Sequence, residues 1–223
     1  MKIELSYQTQ ELPPPYAFAA SFEIALDLDR ENVEIAFQLV YLDREDLSEE
    51  ELSDQGFTGD DDFSWQGYLG KKWIPILSSL KSLEYLTEPR EDSYLHVVID
   101  GVEKGFPAVA QEEVIQELIQ GVFESAKRET PLKIQIADKH LNLTALTWEF
   151  GPRRFLIGQQ EHNWEKSRSL MQLCYSLEFD EDSVFDKPVP DSINFQETLE
   201  WLKIDTSQTK VEIRKMIDQI TKS

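Results

Sequence analysis

One cysteine, Cys174, and three histidines, His96, His140 and His162, are all that this 223-residue chain has of those two residue types. A single thiol excludes an intramolecular disulfide and leaves too few thiolates for a structural zinc site. No window approaches the ~20 apolar residues of a membrane-spanning helix. The opening Met1-Lys2-Ile3-Glu4-Leu5-Ser6 puts a carboxylate where a signal peptide needs its apolar run, so a cytoplasmic protein is expected. Basic residues are scarce too: 22 Lys and Arg stand against 43 Asp and Glu, a formal charge of −21. Such a chain repels nucleic-acid phosphates and anionic lipid, so neither direct nucleic-acid binding nor a membrane is expected. The phosphate-cradling glycine loops, G-x-S-x-G and H-E-x-x-H are missing, and no cofactor is implied. There is no internal repeat of solenoid length.

What is present is an ordinary hydrophobic complement of 40% with clear periodicity. Residues 18–28 and 33–42 alternate strictly, Phe18 to Leu28 and Val33 to Tyr41, which predicts a hairpin with one buried face. Met1–Tyr7 reads as a further strand, joined to that hairpin by the extended Pro13-Pro14-Pro15. Ser48, with Glu51 three residues on, predicts a short capped helix to Gln55. The stretch 56–70, with four glycines and three consecutive aspartates, reads as a loop. A helix is expected from Trp73, a central strand over Tyr94–Ile99 ended by Gly101, Gly105 and Pro107, and a long helix over Gln111–Arg128. Three alternating runs, 132–137, 141–150 and 155–159, predict an antiparallel meander. Residues 170–179 fit a helix or a fourth strand. Asn194 with Glu197 and Thr209 with Glu212 form two capping-box patterns that predict a pair of C-terminal helices. The fold expected is α+β, with a mainly antiparallel sheet covered by amphipathic helices. Residues 1–190 form one domain and 191–223 a two-helix appendage.

The charge is uneven. From Asp43 to Asp62 ten carboxylates face one base, Arg44, and from Glu178 to Asp191 six face Lys187. These two segments carry −14 of the −21, whereas Lys127 to Arg168 is locally +3. Hard cations want clustered carboxylate oxygens, which makes Gly59-Asp60-Asp61-Asp62 the best metal candidate. The calcium-loop spacing is absent, and a solvated acidic loop is the plainer reading. Phe57, Phe63, Trp65 and Tyr68 flank that loop. Aromatics beside carboxylates suit a basic peptide or cationic ligand, and equally suit a loop folded onto its own domain. Asp60, Asp61, Asp62, Trp65 and Tyr68 are therefore the candidate partner-binding residues, with no catalytic, cofactor or metal residue assigned.

The remaining chemistry reads as structural. His96 sits inside an apolar strand, while His140 in a turn and His162 in a loop are expected to be solvated. Cys174, between Leu173 and Tyr175, reads as a packed small hydrophobe. Arg153 and Arg154 would point to opposite faces of a strand and pair with the chain's own two acidic segments. The function expected is that of a non-catalytic acidic adaptor or inhibitor-type protein whose partner is a basic protein or cationic ligand. The alternative is a hydrolase or divalent-metal enzyme whose carboxylate site no motif marks.

Overall fold

Ile3, Leu5 and Tyr7 are buried while Lys2, Glu4, Ser6 and Gln8 between them are exposed, and this period of two organises the N-terminal half. The computed structural model describes residues 1–223 except 11, 29–30, 92–93, 178, 180–183, 197, 199, 205–206 and 223, and except the side chains of 207–209. The chain divides into two compact units, Met1–Glu129 and Thr130–Ser223.

In the first unit, β1 (Lys2–Gln8), β2 (Phe18–Asp27), β3 (Asn32–Tyr41) and β4 (Phe63–Leu69) form an antiparallel meander. Beyond β1 lie β6 (Tyr94–Ile99), β7 (Val102–Pro107) and the two-residue β5 (Tyr85–Leu86), giving the order β4-β3-β2-β1-β6-β7-β5. The hairpin register runs from Phe18 opposite Tyr41 to Asp27 opposite Asn32, as strict alternation requires. Ile3, Leu5, Phe22, Ile35, Phe37 and Val97 on one face share a core with Trp73 and Leu77 of α2 (Trp73–Ser79). The same core takes Ile115, Leu118, Ile119 and Val122 of α3 (Glu112–Ser125). Each such side chain, fully removed from water, contributes about 2 kcal/mol of transfer free energy. A short helix, α1 (Glu49–Asp54), is closed by the Ser48–Glu51 capping box.

In the second unit, β8 (Leu132–Ala137), β9 (Leu143–Glu149), β10 (Arg154–Ile157) and β11 (Gln160–His162) form a meander. It continues through β13 (Ser192–Phe195), β14 (Trp201–Lys203) and the two-residue β12 (Val184–Phe185). Two helices, α4 (Trp164–Tyr175) and α5 (Ser207–Thr221), complete it. Ile134, Leu146, Trp148, Phe155, Leu170, Cys174 and Ile213 are its core. Within that core Trp148 Nε1 donates to Ser167 Oγ (2.9 Å), which in turn donates to the Trp164 carbonyl (2.7 Å).

The two sheets have one topology. The second order, β11-β10-β9-β8-β13-β14-β12, becomes the first when each strand is renumbered from its own unit's start. Every neighbouring pair is antiparallel in both. A helix follows the fourth strand in each, beginning at a buried tryptophan, Trp73 or Trp164, and another follows the seventh. The chain is thus a tandem repeat at the level of whole domains, a length scale far above that of solenoid repeats.

Four expectations are corrected. Residues 191–223 are not an appendage to a 1–190 domain: Ile193, Ile204, Ile213 and Ile220 lie in the second core. The C-terminal helical pair is two strands and one helix. The buried Asn194 amide does not cap a helix but donates to the Thr198 and Glu200 carbonyls (2.8 Å each), closing the turn from β13 to β14. Glu197 and the side chain of Thr209 lie outside the described residues, and α5 begins at Ser207, before Thr209. Part of the 56–70 loop is β4, whose alternation of Phe63, Trp65 and Leu69 is interrupted by Gly67. A Cβ at that glycine would fall inside the Trp65 indole. Finally, Gly105 and Pro107 do not break the sheet but belong to β7. The register with β6 shifts at Val97/Val98, and Gly105 (φ +92°) lies against the Leu86 carbonyl oxygen, where a Cβ would collide. Of residues 170–179, those to Tyr175 end helix α4.

Candidate acidic surface

The acidic segment 43–62 is built around a cation. The Arg44 guanidinium lies over the Tyr41 ring (3.6 Å to the centroid) and the Phe57 ring (4.3 Å). Its Nε and NH2 donate to the Pro15 carbonyl at 2.9 and 2.7 Å, and NH1 donates to Asp61 Oδ2 at 2.8 Å. Asp61 also accepts from the Thr58 amide (2.7 Å) and hydroxyl (2.8 Å). Burial alone would raise the Asp61 pKa; the Thr58 donors and Arg44 outweigh it and hold the carboxyl below the usual range. Asp62 Oδ1 accepts the Tyr41 amide at 2.9 Å. A second cation, Arg128, lies over Phe63 (4.7 Å). Tyr16 packs its edge on Phe57 and shares a hydrogen bond of 2.5 Å with Gln55. This loop is folded onto its own unit by cation–π and charge-assisted bonds.

The five candidate residues do not meet on one surface. Asp60 is exposed, Asp61 and Asp62 are turned to partners within the unit, and Trp65 is half-buried against the first core. Tyr68, 60% exposed, points to the opposite face of β4 from Trp65.

That opposite face of the sheet is where unbalanced charge collects. Registry aligns Tyr68, Glu34, Ala25 and Lys2 in one row across β4, β3, β2 and β1. The next row is Gln66, Ala36, Glu23 and Glu4, and the one after it Ser64, Gln38, Ser21 and Ser6. Glu4 and Glu23 are direct cross-strand partners, both exposed, and Glu34 is diagonal to Glu23. Like charges directly opposed destabilise a sheet by a few tenths of a kcal/mol or more, up to about 1. Apart from Lys2, the side chains around them are small or uncharged, and shallow depressions lined by Ser21, Gln38, Ser64 and Gln66 and by Lys2, Glu4, Glu34 and Gln66 mark the face. Sequence reasoning passed over these glutamates. Alternation does place each on the polar side of its strand, but their convergence depends on the registry of strands separated in sequence.

Elsewhere the reactive side chains are structurally engaged. His96 Nε2 is 3.1 Å from Glu103 Oε1, and its ring packs on Phe106. The His140 amide donates to Asp138 in a turn; His162 is not a solvated loop residue but lies in β11, its ring near Phe155 and its Nε2 buried without a hydrogen-bond partner among the described residues. Cys174 is fully buried, and burial pushes its thiol up to about 12, so it is no nucleophile in the folded protein. Arg153 and Arg154 do not pair with the acidic segments as expected: their partners are Glu165 (2.8 Å) and Glu149, within the second unit. Among the described residues no three His, Cys, Asp or Glu side chains come together to hold a metal ion, and no helix is long and apolar enough to cross a membrane. No protein-family model, curated protein or solved structure matches the chain.

Proposed function

We propose that this is a non-catalytic interaction protein that offers the uncovered face of its first sheet to a basic protein. The observation that carries the reading is the direct opposition of Glu4 and Glu23, with Glu34 beside them, on a face where Lys2 is the nearby base. Intramolecular repulsion there is converted to attraction when a lysine or arginine arrives. Outward positions of β1 to β3 hold Glu4, Glu23, Asp27 and Glu34 against one base, Lys2. The formal charge of −21 adds long-range steering of a cationic partner, which falls with ionic strength. Tyr68, across from Glu34, supplies an exposed aromatic anchor at the edge of the face. The acidic loop 57–62 contributes field rather than contact, because Asp61 and Asp62 are already bonded.

A photo-crosslinking residue in place of Ser21, on this face, tests the reading. The expected product is a protein rich in Lys and Arg, captured at low salt and lost as salt rises. Capture that persists at high salt, or capture only from a probe in place of Asp60, would put the working surface elsewhere.

A further inference from the structure

A cavity of about 440 Å³ lies in the first unit, walled by the end of β1 and by α3. Tyr7, Phe18, Leu12 and Ile119 provide its apolar lining, and the other five lining residues, Glu112 and Gln116 among them, are polar. The volume, and a wall whose surface is more apolar than polar, are those of a small-molecule site. Local sequence brings these groups together. Tyr7 ends the inward alternation of β1, and residues 112, 116 and 119 lie four and three apart on α3, hence on one helix face.

Glu112 is the informative group. Its Oε1 is shielded from solvent and has no hydrogen-bond partner, a costly state for a carboxylate oxygen. Among the described residues lining the cavity there is no lysine or arginine to answer it. The Tyr7 and Phe18 rings, both lining the cavity, stand 5.9 Å apart, tilted at 53°, and aromatic rings attract cations. Burial and then the Glu112 charge raise the Tyr7 pKa, against a hydrogen bond with Gln116 that lowers it. The phenol therefore stays neutral, and the acidic group among the described lining residues is Glu112.

We infer that this cavity binds a small organic amine in its ammonium form, the charge against the Glu112 carboxylate and the side-chain oxygen of Gln116, the hydrocarbon body between Tyr7, Phe18 and Ile119. The site uses the helix side of the sheet, whereas the proposed protein-binding surface is the opposite face, so either can fail without the other.

Titration of the full chain with phenethylammonium, followed by calorimetry or NMR shifts, tests the inference. 3-Phenylpropionate and 3-phenylpropanol serve as anionic and neutral analogues of similar shape. Saturable binding of the ammonium, at least tenfold tighter than either analogue, is expected. Glu112→Gln should weaken it by about tenfold, as loss of a charge-assisted bond implies, with the circular dichroism unchanged. Should Glu112→Gln not fold, the exposed Gln116→Ala variant and the order of the three analogues decide the matter. Equal binding of all three, no binding, or an unweakened folded Glu112→Gln would overturn the inference. So would tighter binding of Nα-acetyl-lysine amide, since the occupant would then be a protein side chain.

Discussion

Arg44 NH1 and Asp61 Oδ2 lie 2.8 Å apart, with 12% and 16% of their side chains exposed. The most acidic stretch of the chain thus spends its best-placed carboxylate on the one base it contains. Asp61 reads in sequence as a surface charge and in space as part of a staple. It joins the loop after α1 to the proline segment before β2.

That staple has a measurable strength. Arg44→Ala removes the ion pair, two bonds to the Pro15 carbonyl and the stacking on Tyr41 and Phe57, and should cost about 2–4 kcal/mol. Arg44→Lys should recover little of this, because an ammonium reproduces neither the fork nor the planar stack. Urea unfolding gives both values. A loss for Arg44→Ala of ~0.5 kcal/mol or less, the range of ordinary surface changes, would show that the loop is not held this way.

The acid limb of stability should report on Asp138. Its carboxylate accepts from the Asn142 side chain (3.0 Å) and amide (2.9 Å) and from the His140 amide (2.7 Å), which hold its pKa down at about 2. The unfolded value is near 3.9, so the folded state favours the ionised form. The resulting stability is complete above roughly pH 4–5 and is lost as pH falls toward about 2. Asp138→Asn should flatten the fall of the unfolding midpoint across that window. An unchanged slope would mean that the turn does not hold the carboxylate in solution.

Because each unit has its own core and a complete sheet, fragments 1–129 and 130–223 should fold separately. A chain ending at Val189 lacks β13, β14 and α5, and with them Ile193, Ile204, Ile213 and Ile220. Its second unit should therefore be molten or aggregated. Dispersed amide spectra for that truncated unit, or collapsed spectra for fragment 1–129, would contradict the division.

How much of this was legible in the sequence depended on where each contact partner lay along the chain. The β2–β3 hairpin was plain because alternation and the partner strand are adjacent, and the Ser48 cap because its partner is three residues away. β4 was masked by Gly67, which looks like a loop residue until the Trp65 ring that needs the space is seen. Asn194 resembles an N-cap because capping and turn-bridging demand the same short amide. The repeated topology left little trace, since the units share strand order and a helix-opening tryptophan while the elements differ in length, β2 and β3 having ten residues each where β9 and β10 have seven and four. The Glu4–Glu23 pair was hidden for another reason. It needs a registry set across the Pro13–Pro15 connection, which no local pattern encodes.

The most direct measurement is the crosslinking yield from position 21 in two variants of equal net charge. One carries Glu4→Gln, Glu23→Gln and Glu34→Gln on the uncovered face; the other carries Glu49→Gln, Glu50→Gln and Asp54→Asn on α1. If the face binds a basic protein, the first variant should lose the product by about tenfold, while the second changes by less than about twofold through weakened steering alone. Equal yields from the two would show that net charge, and not the opposed carboxylates of β1 and β2, governs what the protein attracts.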